Sequence, residues 1–458
     1  MKRILNLLVV TVIASVVCNA QDAITTDSWI GEIAVGTRNL NICFCIKTQH
    51  DGKQICTMDV PDQGAKNIPV ALLKNDPDSL NLSIALLRAT YKGKKVSAES
   101  IIGVFTQNGM SFPLNLKPGS FELSRPQTPV GPFAYTTEEV IFRNDAEDAQ
   151  LAGTLTYPIN FESYADGSVP VVLMVTGSGS QDRNEEVFGH KPFLVIADFL
   201  AMNGIASLRY DDRGVGKSTG PIVGTTTENN LADAEAGISY LRGLKKFGKV
   251  GVLGHSEGGT IAFMMGANNS VDFLISLAGG AANGIDVIVG QNEVTMQQQG
   301  VPQKVINDYA TALRIVYKDR IGRVEIDDKT RYIEDLCQTN SLTLPENFKA
   351  NLVKCITYGG EWLTWFLGYD PKDAISKISC PVMALNGDMD LQVLSKDNLT
   401  VIKENMPTND LNLIKEYKSH NHLFQHCTLA TALNYGAIEE TISEEVLNDM
   451  VNWIIKIK

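Results

Sequence analysis

The chain has 458 residues, 44% hydrophobic and 20% charged, which is the composition of an ordered globular protein with residues enough for more than one domain. Its formal charge of −12, which becomes −14 without Lys2 and Arg3, repels phosphate backbones and anionic lipid. Nucleic-acid binding and peripheral membrane roles are therefore disfavoured.

Residues 1–20 open with Met1-Lys2-Arg3, run apolar from Ile4 to Val17 and close on Cys18-Asn19-Ala20. This reads as a signal peptide removed on export to the periplasm or beyond. The run is too short to span a bilayer comfortably, so no stable membrane insertion is expected after cleavage. A retained anchor is the alternative; a lipid-modified Cys18 is opposed by the bulky Val17 before it. Without Cys18 seven cysteines remain, an odd number that leaves at least one thiol free. Cys43 and Cys45 should share one side of a strand, with Cys56 across the turn near Asp51-Gly52. A Cys45–Cys56 bridge is geometrically possible, and burial as free thiols fits equally. No spacing matches a zinc site.

From 25 to 124, short β-rich runs (40–47, 54–60, 79–87, 101–106) alternate with turns and helical periodicity is absent, which predicts an antiparallel all-β domain of barrel or sandwich type. Residues 125–137, with three prolines between Arg125 and Pro132, read as a stiff linker. From 138 to 458 the pattern changes. An expected antiparallel pair at 138–143 and 151–157 is followed by apolar strands at 169–175, 206–210, 250–253, 273–277, 382–385 and 411–417, with helices such as 193–203 and 230–244 between them. Such runs predict an α/β domain whose mostly parallel sheet is covered on both faces. Residues 281–375 break the rhythm with helical stretches at 303–317 and 330–337 and the aromatics Tyr358, Trp362, Trp365, Phe366 and Tyr369. Inserted between the sixth and seventh strands, they predict a helical lid. The aromatics either face substrate or pack the lid onto the core.

Within this domain the strand Val250-Gly251-Val252-Leu253 runs into Gly254-His255-Ser256-Glu257-Gly258 and then a helix. A strand turned into a helix so sharply forces the central residue into a strained conformation and crowds the positions two before and two after it, where only glycine fits. Ser256 is accordingly the candidate nucleophile. Because a serine hydroxyl is weak near neutral pH, it needs an imidazole to take its proton and a carboxylate to orient that imidazole. Asp388 and Asp390 follow one late strand; His420, His422 and His426 follow the last.

These motifs, with Thr176-Gly177-Ser178-Gly179, Asp211-Asp212-Arg213-Gly214 and Asn421-His422-Leu423-Phe424-Gln425, resemble the α/β-hydrolase superfamily. The likeness is to serine esterases of the serine aminopeptidase-like group, specifically bacterial exported esterases with an N-terminal β-domain and a lid. It spans roughly residues 25–458. The resemblance implies the α/β-hydrolase fold and selects Asp390 as the acid, with Asp388 as the alternative, and His422 as the base, with His420 as the alternative. It places oxyanion donors at the backbone N–H groups of Glu257 and Ser178, with Gly179 as the fallback. His255 should point away from Ser256. The loop at 211–218 ends like a phosphate-binding loop but carries Asp211 where that motif needs glycine, so its role is structural. Asp182 and Arg183 are a possible pair bracing the oxyanion loop.

The expected function is hydrolysis of small carboxylic esters, with short acyl groups implied by the resemblance alone, and no metal or organic cofactor. Two alternatives stand beside it. One is a peptidase acting on short peptides, for which Glu361 beside Trp362 is a candidate ammonium acceptor. The other is a catalytically silent protein whose β-domain binds glycan or protein.

Overall fold

A computed structural model of the protein describes residues 23–35, 38–120 and 123–457; the expected signal peptide lies outside them. The chain divides into two compact units. One holds the described residues up to Arg125 together with Val187–His190, and the other holds Pro126–Glu186 and the chain from Lys191 onward.

The first unit is one antiparallel sheet of nine strands: β1 (Ala23–Val35), β2 (Arg38–Gln49), β3 (Gln54–Val60), β4 (Ala65–Asn75), β5 (Ser79–Ile84), β6 (Ala89–Ser97), β7 (Ser100–Gln107), β8 (Met110–Pro113) and β9 (Lys117–Pro118). Alternation builds it. In β5, Leu80, Leu82 and Ile84 are buried while the residues between them are partly exposed, the period of a strand with one face inward. β1 pairs with β9 as well as β2, and Ile101 in β7 bridges Leu116, so the meander curls into a half-barrel instead of splitting into a sandwich. The Tyr91 ring lies in the bend; a Cβ on Gly93 or Gly103 would come within 2.6 or 2.4 Å of its hydroxyl. Register separates the cysteines: Cys45 pairs with Thr57, and Cys56 with Ile46. One residue of offset puts Cys45 and Cys56 on opposite faces, so they cannot bridge, and both are free thiols. Burial pushes the Cys56 thiol up to about 12.

The second unit carries eight strands: β10 (Thr137–Asn144), β11 (Ala149–Thr156), β12 (Val171–Val175), β13 (Ala206–Tyr210), β14 (Val250–His255), β15 (Phe273–Leu277), β16 (Val382–Gly387) and β17 (Leu413–Tyr417). Their order is β10-β11-β13-β12-β14-β15-β16-β17, with β11 antiparallel to both neighbours and the strands from β13 to β17 mutually parallel. Successive residues of β12 feed opposite faces. Val171, Leu173 and Val175 join one apolar cluster, and Val172 and Met174 join the other. That is why these strands read as unbroken apolar runs. The helices are α1 (Pro192–Met202), α2 (Thr227–Leu244), α3 (Glu257–Ala267), α4 (Gly284–Gln298), α5 (Gln303–Ile321), α6 (Lys329–Thr339), α7 (Glu346–Thr357), α8 (Gly360–Gly368), α9 (Lys372–Ile375), α10 (Ser395–Asn405) and α11 (Glu444–Ile457). This is the α/β-hydrolase fold. Helices α4 to α9 lie between β15 and β16, and a separate apolar cluster that includes Val289, Leu313, Leu352 and Leu367 holds this insertion together. No described helix is long and apolar enough to cross a membrane. The linker is not loose: the Gln127 side chain donates to Ile442 O at 2.7 Å and accepts from Thr441 N at 2.6 Å.

Candidate active site

At the end of β14 the backbone of Ser256 sits at φ 54° and ψ −118°. A non-glycine residue there stores on the order of 1–3 kcal/mol. The turn is as crowded as the motif predicts. A Cβ on Gly254 would lie 1.9 Å from Gly258 O, and one on Gly258 would lie 2.1 Å from Val175 O. Ser256 N donates to Leu277 O at 2.9 Å, which fixes the bend against β15. The side chain is partly exposed and makes no hydrogen bond with another described residue.

Beyond β16, Asp390 is enclosed and fully engaged. Its Oδ1 accepts from Gln392 N at 2.8 Å and Val393 N at 2.9 Å, while Oδ2 accepts from His422 Nδ1 at 2.8 Å. Both side chains are almost completely buried. An Nδ1–H committed to a carboxylate leaves Nε2 of His422 as a base. Asp388 takes another part: it accepts from Ser419 N at 2.6 Å and pairs with Lys418 at 3.4 Å, bracing the turn after β17. His420 Nδ1 donates to Lys418 O at 2.7 Å and packs on His426, and burial lowers its pKa below the ordinary value. His426 pairs with Glu440. Of the three histidines, His422 is the one that meets an aspartate. Asn421 shapes its loop by accepting from Leu423 N and Gln425 N, each at 3.0 Å.

The loop after β12 is held from below by Asp212, which accepts from Thr176 Oγ1 at 2.9 Å and Gln181 N at 2.8 Å. Burial pushes this carboxyl up to about 8. Arg183 pairs with Asp211 and Glu139, not with Asp182. The Asp182 carboxylate is occupied in accepting from Asn184 N at 3.2 Å and Glu186 N at 2.8 Å, which corrects the expected pairing. Among the described residues, the backbone N–H groups of Ser178 and Glu257 have no acceptor. The loop and the elbow are close: a Cβ on Gly177 would lie 3.2 Å from Ser256 Cβ. The loop after β13 is structural in its bonding. Arg213 lies against Asp233 at 2.8 Å, and a Cβ on Gly216 would strike Asp211 Oδ2 at 2.5 Å.

Sequence reasoning missed two features. Glu185, in the loop after β12, accepts from Gly177 N at 2.7 Å and meets His255 Nδ1 at 2.9 Å, while His255 Nε2 reaches His422 O at 3.0 Å. Glu257, next to Ser256, buries its carboxylate against Thr227 Oγ1 at 2.6 Å and Trp362 Nε1 of α8 at 3.0 Å. Glu361, named from sequence as an ammonium acceptor, is exposed and pairs with Arg323 at 2.8 Å. The available signal was an acidic residue in a tight turn between an apolar strand and the Gly258-Gly259 start of a helix, since a buried carboxylate must find donors.

The model of the family described as X-Pro dipeptidyl-peptidase (S15 family) matches residues 147–424, more than half of the chain. Esterase EstD of Thermotoga maritima is 23% identical over 328 residues, covering 70% of this chain and 69% of its own. Among solved structures, the Pyrococcus furiosus esterase Pf2001 aligns with a TM-score of 0.42 at 14% identity, over 74% of this chain and 99% of its own. Est1E from Butyrivibrio proteoclasticus, solved with ferulic acid bound, aligns with a TM-score of 0.39 at 17% identity, over 69% of this chain and 99% of its own.

Proposed function

We propose, for a chain that belongs to the X-Pro dipeptidyl-peptidase (S15) family, a serine hydrolase that cleaves carboxylic esters through an acyl-enzyme on Ser256. It is an α/β-hydrolase of carboxylesterase type, and the activity of its relative EstD supports the ester. One observation carries the reading. His422 donates Nδ1–H to buried Asp390 at 2.8 Å, and its carbonyl is held by His255, the residue before Ser256, at 3.0 Å. In this account His422 Nε2 takes the Ser256 proton as Oγ bonds to the ester carbonyl carbon. The resulting oxyanion accepts from the N–H groups of Ser178 and Glu257. Collapse breaks the bond to the alkoxide, which leaves with the proton from His422. Water, deprotonated by His422, then attacks the acyl-enzyme, and Ser256 departs reprotonated.

The test is turnover of aryl esters with acetyl, butyryl, long-chain and feruloyl groups. Ser256→Ala and His422→Ala should each lose several orders of magnitude in kcat, with the short acyl groups turned over fastest. A Ser256→Ala variant as fast as the parent would end this reading.

The family name favours a second reading, cleavage of X-Pro peptides. Such a substrate presents an ammonium group and calls for a carboxylate free to meet it. Glu361 is paired with Arg323, and Glu257 is occupied by Thr227 and Trp362, so the ester is preferred. An X-Pro arylamide turned over faster than every ester would reverse that preference. Export is part of the proposal, on the pattern of residues 1–20. The secreted protein should begin at Gln21, which amino-terminal sequencing checks.

A further inference from the structure

The contact between Glu185 and His255 fixes where protons must sit. His255 Nε2 lies 3.0 Å from the carbonyl oxygen of His422, and a carbonyl only accepts, so Nε2 carries a hydrogen. Nδ1 of the same ring lies 2.9 Å from Glu185 Oε1. With Nε2 already protonated, a neutral ring would point its Nδ1 lone pair at a carboxylate. The contact therefore needs one further proton between nitrogen and oxygen. The same Oε1 accepts from Gly177 N at 2.7 Å, and Gly177 precedes the proposed oxyanion donor Ser178. Glu185 and His255 are both almost fully buried, and Glu185 holds a left-handed backbone at φ 53°, so tertiary contacts impose its position.

We propose that Glu185 and His255 are positioning residues, a second carboxylate–imidazole pair whose shared proton ties the oxyanion loop, the nucleophile elbow and the backbone of His422 into one rigid unit. The inference rests on the Ser256–His422–Asp390 reading above. The pair touches no reacting atom; it acts by setting where the Ser178 N–H and the His422 ring stand. Loss of its proton leaves two lone pairs face to face and pushes the loop and the elbow apart, so turnover declines on the alkaline side. The other ionisable groups around the pair are Asp212 from the loop after β13, Glu257 at the head of α3, Asp390 after β16, and His422 itself. Burial opposes charge on His255, but the Glu185 carboxylate, its hydrogen bond and the His422 carbonyl outweigh it and raise the pKa above the ordinary value.

The experiment compares kcat and KM across pH for the full-length parent, Glu185→Gln, Glu185→Asp and Ser256→Ala on one aryl ester. Glu185→Gln should lower kcat about 10- to 100-fold, with KM within about twofold and the alkaline decline displaced. Glu185→Asp, which keeps the charge, should recover part of the rate. A Glu185→Gln variant with the parental kcat and the parental alkaline limb, alongside an inactive Ser256→Ala, overturns the proposal. An active Ser256→Ala overturns the triad reading instead. Should Glu185→Gln fail to fold, proton NMR of the parent and of Asp390→Asn decides. Two far-downfield imidazole N–H resonances are expected in the parent, and one should survive in Asp390→Asn. A single resonance that disappears in Asp390→Asn contradicts the pair.

Discussion

Asp212 is partly buried beneath the loop after β12, and burial raises its carboxyl from an ordinary value of 3.8 to about 8. Between those values the folded chain keeps a proton that the unfolded chain has released, so this group makes stability fall as pH rises through that window. The raised His255 acts in the same direction above its ordinary 6.5. Asp212→Asn removes the first contribution. Its melting temperature should fall less steeply between about pH 4 and 8 than the parent's, and parallel curves in a thermal-shift series would contradict the assignment. A second contrast separates two aspartates that sequence alone left open. Asp390→Asn should lower kcat by about 10⁴-fold, whereas Asp388→Asn, which loses only a turn contact, should change it by less than about tenfold. The two follow the same strand two residues apart. What distinguishes them is tertiary: the N–H groups of Gln392 and Val393 converge on Asp390, while Ser419 and Lys418 meet Asp388. Ser256 was legible because its requirement is local, a bend that only flanking glycines permit. Glu185 was not, because its partner His255 stands 70 positions away and nothing around it in sequence marks it.

Helix α8 is joined to the turn at Ser256 by the Trp362 indole N–H on Glu257, across 105 positions of sequence. A hydrogen bond to a charged acceptor contributes about 1.5–3 kcal/mol. Trp362→Phe keeps the stack on Phe366 but loses that bond, so kcat/KM should fall about tenfold and hydrogen exchange over α8 should accelerate. Unchanged exchange over α8 would show that the bond does not hold this helix. The helices inserted between β15 and β16 were legible from periodicity, and so was their place between two strands. Which aromatic meets the elbow was not, because periodicity identifies faces without pairing them. Glu361, the candidate ammonium acceptor, stands one position before Trp362, the residue that makes the contact.

The two units carry separate apolar cores, one lined by Phe44, Met58, Leu80 and Tyr91, the other built on both faces of the parallel sheet. Cores without shared side chains unfold as separate cooperative units, so calorimetry should resolve two transitions. Tyr91→Ala should lower only one of them, by about 3–5 kcal/mol, and a single transition shifted as a whole would contradict the division. The β-rich half and the α/β half were legible from the change of period near residue 138. Half-barrel against sandwich was not, because the contacts that curl the sheet, Trp29 with Pro118 and Ile101 with Leu116, are long-range. Everything proposed for function converges on one oxygen atom. The most direct measurement treats the full-length protein with a fluorophosphonate and locates the adduct by peptide mass spectrometry. A single stoichiometric adduct on Ser256, lost in His422→Ala, is expected; an adduct on another residue, or an unmodified Ser256 in protein that still hydrolyses esters, would contradict the proposed triad.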